Sequence, residues 1–184
     1  LISFYANAQT TYYVSVTGND ANNGTSIATA FKTIQKAAAI ATFGSTVNIL
    51  QGTYNERIIT YVTGLPGNYI TFQNYQNDVV TIEGAGTSGW GLWLIYGVGY
   101  IRLKGINFSY NDSTTNAWAP AIVVGNKSQY VEIKKCTFSK LLNNNATGIA
   151  IYGNDTTAAG LHDVNVDSCT FGSSNFKMSQ GVGI

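Results

Sequence analysis

The chain has 184 residues, the length of one ordinary domain, and its 9 acidic and 10 basic side chains give a net charge of +1. This balance gives no electrostatic attraction to nucleic acid or to an anionic membrane, and no run of about 18 apolar residues could cross a bilayer. We therefore expect neither a nucleic-acid partner nor a membrane span. The many Asn, Thr, Ser and Gly residues and 12 Tyr are typical of secreted, β-rich proteins.

The N-terminal residues, LISFYANAQ, have the features of the end of a secretory signal. A short apolar stretch is followed by a small-x-small site at 6–8, and cleavage there would leave Gln9 as the new N-terminus. We interpret residues 1–8 as the remnant of a signal peptide, with an ordinary apolar first strand as the alternative. This interpretation predicts a protein that is secreted or displayed at the cell surface.

Residues 31–43, FKTIQKAAAIATF, have the apolar spacing of an amphipathic helix. Thr33 is the candidate N-cap, and Gly44 is the candidate C-terminal stop. We predict that this helix covers the open N-terminal end of the fold, as part of a cap that extends over residues 9–45.

A nine-residue phrase recurs along the rest of the chain. It reads YIRLKGINF at 100–108, YVEIKKCTF at 130–138 and DVNVDSCTF at 163–171, with a fainter copy, YITFQNYQN, at 69–77. Apolar and polar residues alternate within each copy, as in a half-buried strand. The aligned apolar columns are Ile70, Ile101, Val131 and Val164; Phe72, Leu103, Ile133 and Val166; Tyr75, Ile106, Cys136 and Cys169; and Phe108, Phe138 and Phe171.

A second apolar column follows each phrase. Its aligned sets are Leu92, Ile122 and Ile149, and then Leu94, Val124 and Ile151. Two strands per repeat of about thirty residues predict a parallel β-helix over residues 46–184, with four or five rungs that bury their columns on one another. Because the sequence stops inside a rung, we expect the β-helix to be incomplete at its C-terminus. An antiparallel sandwich is the competing fold, but it has no reason to repeat the same columns.

Two cysteines share one predicted inward column on adjacent rungs, Cys136 and Cys169. Their expected spacing makes a disulfide geometrically conceivable. Neighbours in a parallel ladder point the same way, however, so we prefer a pair of buried, stacked thiols.

The first third of the chain resembles secreted right-handed parallel β-helix proteins. GNDANNGT at 18–25 is similar to their signature G-x-D-x-N-x-G-T, with Asn23 displaced by one position, and VNILQGTY at 47–54 is similar to V-x-I-x-x-G-T-Y. This superfamily includes pectate, alginate and chondroitin lyases. The resemblance implies an all-β, right-handed parallel β-helix with an N-terminal capping α-helix, and a polysaccharide as the partner.

The same resemblance implies proton abstraction beside a uronate carboxylate, with Lys or Arg as the base and calcium as the only cofactor. Five of the chain's charged side chains fall on two outward columns of one predicted sheet. On these columns Lys134, Lys104 and Arg102 are the predicted catalytic residues, and Glu132 and Asp167 are the predicted calcium ligands. The catalytic spacing of those lyases is not matched here, and the alternative is a ladder of cross-rung salt bridges.

Two further features are candidate binding sites. Asp20 lies in an Asp/Asn cluster that could hold calcium, although such clusters are first of all turn formers. The tryptophans Trp90, Trp93 and Trp118 are candidate sugar contacts, with core packing as the alternative; Trp93 is expected to be exposed because its neighbours Leu92 and Leu94 take the inward positions.

The tripeptides DST at 112–114 and DTT at 155–157 resemble the O-glycosylation motif of exported Bacteroidetes proteins. That resemblance would place glycans on Ser113 and Thr156.

Two functions remain open from the sequence. The first is a secreted carbohydrate-active protein, like a polysaccharide lyase, that acts on or binds uronate polymers. The second is a non-catalytic surface or adhesion module, in which the β-helix is a stiff spacer with a glycan-binding face and the type IX secretion machinery is a partner.

Overall fold

The computed structural model describes residues 9–84, 91–110, 119–141, 146–153 and 160–172, and these form a parallel β-solenoid of three sheets. Sheet A contains, in spatial order, β1 (Thr11–Val14), β2 (Thr46–Ile49), β5 (Ile70–Asn74), β8 (Gly99–Lys104), β11 (Gln129–Lys134) and β14 (His162–Asp167). Sheet B contains β3 (Gly52–Tyr54), β6 (Val80–Glu83), β9 (Asn107–Tyr110), β12 (Thr137–Leu141) and β15 (Thr170–Phe171). Sheet C contains β4 (Ile58–Thr60), β7 (Trp93–Tyr96), β10 (Ala119–Gly125) and β13 (Ala146–Tyr152).

The chain visits sheets A, B and C in the same order on each rung, and every neighbouring pair of these strands is parallel. One α-helix, α1 (Ile34–Ile40), completes the described elements beside two short 3-10 turns. The prediction of a parallel β-solenoid is therefore confirmed. No helix in the described ranges is long and apolar enough to cross a membrane.

Each copy of the repeated phrase forms one corner of the solenoid. In the copies at 100–108, 130–138 and 163–171, the first half is a strand of sheet A and the second half a strand of sheet B; in the fainter copy at 69–77, the second half is the 3-10 turn Tyr75–Asn77. Between the two strands, Gly105, Lys135 and Ser168 all adopt positive φ, at 67°, 52° and 53°, which turns the chain within one residue. The two predicted columns of sheet A are confirmed, since for example Val131 pairs with Ile101 on one side and with Val164 on the other. The alignment of Tyr75 with Ile106 and Cys136 is wrong, because Tyr75 begins a 3-10 turn before sheet B is reached.

The phenylalanines that end the phrases stack through sheet B. The Phe138 ring lies 5.3 Å from Phe108 and 4.7 Å from Phe171, with planes inclined by 9° and 6°. Phe108 and Phe138 are fully buried, whereas Phe171 is 39% exposed.

The two cysteines are free thiols in this structure. A hydrogen bond with Cys169, together with burial, raises the pKa of the Cys136 thiol. The same contact lowers the pKa of Cys169 to about 7. The preferred prediction of stacked thiols agrees with this arrangement, although Cys169 is only partly buried.

The predicted register of the second column is wrong by one residue in β7. Trp93, not Leu92, lies opposite Ile122, and Ile95, not Leu94, lies opposite Val124. Trp93 is therefore fully buried rather than exposed, and its indole N–H donates to Thr60 Oγ1 at 3.0 Å. The strict alternation fails because Leu92 and Trp93 are both buried where the chain enters the strand. The alignment of Ile122 with Ile149 and of Val124 with Ile151 is confirmed.

The helix is shorter than the predicted 31–43. Phe31 forms a bridge with Val14 instead of a helical turn, and the N–H groups of Lys32 and Thr33 donate to Asp20. Thr33 is the N-cap, as predicted, because its hydroxyl accepts the N–H of Lys36. At the other end the backbone becomes extended at Ala41, before Gly44 is reached.

The helix lies beside β4, the edge strand of sheet C. The Gln35 side chain forms the two hydrogen bonds to Ile59 that a neighbouring strand would form. Its Oε1 accepts the N–H of Ile59 at 2.7 Å, and its Nε2 donates to the Ile59 carbonyl at 3.3 Å. Ile34, Ala37 and Ala38 are buried. The helix therefore pairs part of an otherwise open sheet edge and covers apolar side chains.

Glu56 completes the N-terminal end of the helix. Its two carboxylate oxygens accept the N–H groups of Ile34 and Gln35 at 2.8 and 2.9 Å. Burial raises the pKa of Glu56, and these two N–H donors offset part of that effect. With Thr33, the carboxylate satisfies the first three N–H groups of the helix.

We expect Glu56→Ala to lower the free energy of unfolding by about 1–3 kcal/mol, because two half-buried N–H groups lose their acceptor. Urea denaturation followed by circular dichroism measures the change. Glu56→Gln keeps one acceptor oxygen and serves as the matched control, with a smaller loss. Equal stability of the alanine variant and the parent would contradict this role.

Candidate functional site

The outer face of sheet A carries the two charged columns expected from the sequence. Their register is confirmed across the rungs. The first column is Thr71, Arg102, Glu132 and Asn165, and the second is Gln73, Lys104, Lys134 and Asp167. The structure thus brings most of the predicted catalytic and metal-binding residues onto one surface.

Glu132 lies at the centre of this surface and binds two cations. Its Oε2 atom is 2.5 Å from Arg102 Nε and 3.0 Å from Lys134 Nζ. Partial burial raises the pKa of Glu132, but the hydrogen bonds and charges of Arg102 and Lys134 outweigh it, so the net pKa is lowered. The ion-pair cluster is therefore complete at neutral pH and persists to lower pH than the ion pairs of a glutamate with an ordinary pKa.

Two more lysines lie near this cluster without a carboxylate partner. Lys104 is the cross-rung neighbour of Lys134, and Lys135 follows directly at the corner. In the part of the chain that the structure describes, no carboxylate is within ion-pair distance of Lys104 or Lys135. Like charges opposite one another disfavour a folded sheet. Of the lysines Lys104, Lys134 and Lys135, only Lys134 is paired with Glu132.

A column of aromatic residues runs beside the charged columns. Tyr69 meets Tyr100 edge-on at 5.6 Å, Tyr100 stacks on Tyr130 at 4.6 Å, and His162 meets Tyr130 edge-on at 5.5 Å. The Arg102 guanidinium lies over the Tyr69 ring at 4.5 Å. Tyr100 and Tyr130 cover one face of each other's ring, and both residues are partly exposed.

The hydroxyls of Tyr69 and Tyr100 stay neutral over the physiological pH range, because their pKa values are raised. Partial burial and then the charge of Glu132 raise the pKa of Tyr69, while partial burial and then Tyr130 raise that of Tyr100. Neutral phenols both donate and accept hydrogen bonds. A signal for this column was present in the sequence, because three copies of the phrase begin with Tyr, but those residues were not among the predicted contacts.

Glu132 and Asp20, two of the three predicted calcium ligands, are already engaged within the fold. Calcium takes six to eight oxygen ligands, but Glu132 Oε2 is already held by Arg102 and Lys134. Asp20 uses both oxygens within the fold, since Oδ1 accepts the N–H groups of Lys32 and Thr33 and Oδ2 accepts the Thr33 hydroxyl. Among the described residues, no group of three or more His, Cys, Asp or Glu side chains converges. Asp20 instead fixes the chain before the helix.

Several predicted sites lie outside the described residues. These are the tryptophans Trp90 and Trp118, the candidate glycosylation sites Ser113 and Thr156, and the signal-like residues 1–8. Of the three tryptophans, only Trp93 is described, and its complete burial contradicts a sugar contact.

No family model matches the chain. An uncharacterised protein of Bacillus subtilis (strain 168), YwoF, is 34% identical over 127 residues, which are 66% of this chain and 27% of that protein. The chain therefore spans about a quarter of the curated relative it matches.

Solved structures share the fold. A GH136 lacto-N-biosidase from Eubacterium ramulus superposes with a TM-score of 0.68 at 17% identity, covering 88% of this chain and 34% of that one. Its native form gives a TM-score of 0.65 at 15% identity. A rhamnogalacturonan lyase gives 0.58 at 13% identity, covering 92% of this chain and 58% of that one. These similarities show that the chain has the β-solenoid fold of those proteins.

Proposed function

We propose that the chain belongs to a carbohydrate-active β-helix protein, similar to polysaccharide lyases, that binds or acts on acidic, uronate-containing polysaccharides along the outer face of sheet A. The observation that carries this proposal is the group Lys104, Lys134 and Lys135, three lysines on two adjacent rungs, of which only Lys134 forms an ion pair within the described residues. A polyanion relieves their mutual repulsion. The solved structures of similar fold support a carbohydrate ligand, because both are named for carbohydrate substrates.

The three columns of this face offer complementary contacts to such a polymer. The hydroxyls of Tyr100 and Tyr130 can bind sugar hydroxyls, as can the amides of Gln73 and Asn165, while the lysines bind carboxylates. Because the columns run across rungs about 4.8 Å apart, a chain lying along the solenoid axis meets the same kinds of contact repeatedly. We place the protein outside the cell or at its surface, where long polysaccharides are accessible.

The predicted catalytic residues differ in their freedom to act. Arg102 and Lys134 are both held by Glu132, so they suit binding better than proton abstraction. Lys104 is exposed and remains the proposed base for β-elimination, a role that requires its neutral amine and is an alternative to binding a carboxylate as a cation. The saturated cluster around Glu132 also favours a second candidate function, a non-catalytic glycan-binding surface module, for which type IX secretion remains a proposed export route.

Binding to soluble polymers tests the proposal. In affinity electrophoresis we expect polygalacturonate, alginate or chondroitin sulfate to retard the chain, and neutral dextran to leave it unretarded. The double variant Tyr100→Phe/Tyr130→Phe should weaken binding by about thirtyfold, since each of the two lost hydroxyls contributes on the order of 1 kcal/mol. Tyr96→Phe, on the exposed part of sheet C, is the matched control. If dextran retards the chain as much as the acidic polymers do, the proposal is refuted. It is also refuted if none of the acidic polymers retards the chain.

Product formation separates the two candidate functions. A lyase creates an unsaturated uronate that absorbs in the ultraviolet, and Lys104→Ala should abolish that absorbance if Lys104 is the base. Binding without any product from the complete protein favours the non-catalytic module. Product that persists in Lys104→Ala contradicts the assignment of Lys104.

A further inference from the structure

A cleft of about 360 Å³ opens at the corner between sheets A and B, next to the second charged column. Its lining includes Asn74, Asn77, Asp78, Lys104, Gly105 and Lys135. Building on the proposed function, we propose that this cleft is a subsite that receives the carboxylate of a single uronate unit, with Lys104 and Lys135 as its cationic ligands.

The walls of the cleft are held in place by the backbone. Asn74 Nδ2 donates to the Asp78 carbonyl at 3.0 Å, and Asp78 Oδ2 accepts the N–H of Gln51 at 2.9 Å. These bonds brace the short 3-10 turn Tyr75–Asn77 against the rung before it. The cleft is therefore pre-formed, which lowers the cost of ordering it when a ligand binds.

Gly105 lets the two sides of the cleft approach each other. A Cβ atom at this position would lie 2.2 Å from Asn74 Oδ1, and φ is +67°. The next rungs carry Lys135 and Ser168 at the equivalent corner position. The Gly105 corner therefore differs from the two later ones by a glycine that leaves room for the Asn74 amide. The Lys135 side chain borders the space from the next rung.

The charges in the cleft match a singly charged anion. Lys104 and Lys135 supply two positive charges, and Asp78 supplies one negative charge that already accepts a backbone N–H. Both lysines are exposed, and neither is within ion-pair distance of a carboxylate in the ranges that the structure describes. A carboxylate can accept from both ammonium groups, while the Asn74 and Asn77 amides are available to hydroxyls on the same sugar ring.

Three monosaccharides that differ at one carbon test the subsite on the full chain. Galacturonate carries a carboxylate at C6, galactose 6-sulfate carries a sulfate ester there, and galactose carries a hydroxyl. In a titration followed by amide NMR, we expect galacturonate to shift the amide signals of Gly105 and Lys135, and galactose to leave them in place. Lys104→Gln and Lys135→Gln should each weaken galacturonate binding by about tenfold.

Lys140→Gln is the matched control. Lys140 is an exposed lysine on β12, so this substitution removes the same charge, but from sheet B. Gly105→Ala tests the shape of the cleft without changing its charge, and the amide spectrum reports whether that variant stays folded. We expect it to weaken galacturonate binding, because the new Cβ displaces the Asn74 amide.

The outcomes separate this subsite from the proposed function. Shifts confined to the tyrosine column, or binding that both lysine variants leave unchanged, would overturn the subsite while polymer binding stands. Galacturonate binding in the cleft without retardation by any polymer would support the subsite and reject the proposed function. Equal affinity for galactose 6-sulfate would overturn the carboxylate assignment, and the absence of shifts with all three sugars would overturn the subsite itself.

Discussion

Replacing Trp93 by alanine is expected to lower the free energy of unfolding by about 3–5 kcal/mol, the range for truncating a fully buried aromatic residue. Trp93 is 0% exposed and meets the Phe72 ring edge-on at 5.0 Å. It lies between Ile58 and Ile122 of the neighbouring rungs, so its removal leaves a cavity that touches three strands. The loss of its N–H also leaves the buried Thr60 hydroxyl without that partner.

The neighbouring residue Leu94 provides the control. Leu94 is only partly buried, so Leu94→Ala should cost about 1 kcal/mol or less. The alternation read from the sequence places Leu94 inside and Trp93 outside, and it therefore predicts the opposite order. Urea denaturation of the two variants decides between the registers. If Trp93→Ala does not fold, Trp93→Phe should still be less stable than Leu94→Ala.

Phe138→Ala is the second substitution with a large expected effect, again about 3–5 kcal/mol. The Phe138 ring is fully buried and stacks on two partners, Phe108 and Phe171, at 5.3 and 4.7 Å. Truncation therefore removes two aromatic contacts, each of which contributes about 0.5–1.5 kcal/mol beyond area burial.

Phe171→Ala is the matched control within the same column of this chain. Phe171 keeps one stacking partner among the described residues and is 39% exposed, so its truncation should cost less than half as much. The same denaturation experiment measures both changes. Equal losses of unfolding free energy for the two variants would show that ring stacking contributes little beyond the burial of each ring.

The fold could be predicted because a solenoid places equivalent residues in the same environment on every rung. Val131 and Phe138 recur as apolar residues at the same positions of neighbouring phrases, and the structure pairs them as aligned. The prediction failed at Trp93 because alternation holds only inside a strand. At the corner before β7, two consecutive residues are buried, and no local pattern marks that change.

The candidate site could be predicted only in part, for a related reason. The outward positions of Arg102 and Glu132 follow from the same alternation that places the core residues inward. Their ion pair, and its extension to Lys134, depends on side-chain geometry between rungs. The carboxylates of Asp20 and Glu56 are bound by backbone N–H groups distant in sequence, so their structural roles could not be read from the residues around them.

The sequence by itself determined the solenoid, its rung length and the inward and outward columns of sheet A, because these depend on periodicity that every repeat restates. The tertiary structure alone decided which charges neutralise one another, which tyrosines stack, and where a cleft opens beside Gly105. Those features depend on distances between side chains on neighbouring rungs, which are about thirty residues apart in the sequence. There, a shift of one residue or an added Cβ atom decides whether two side chains are in contact.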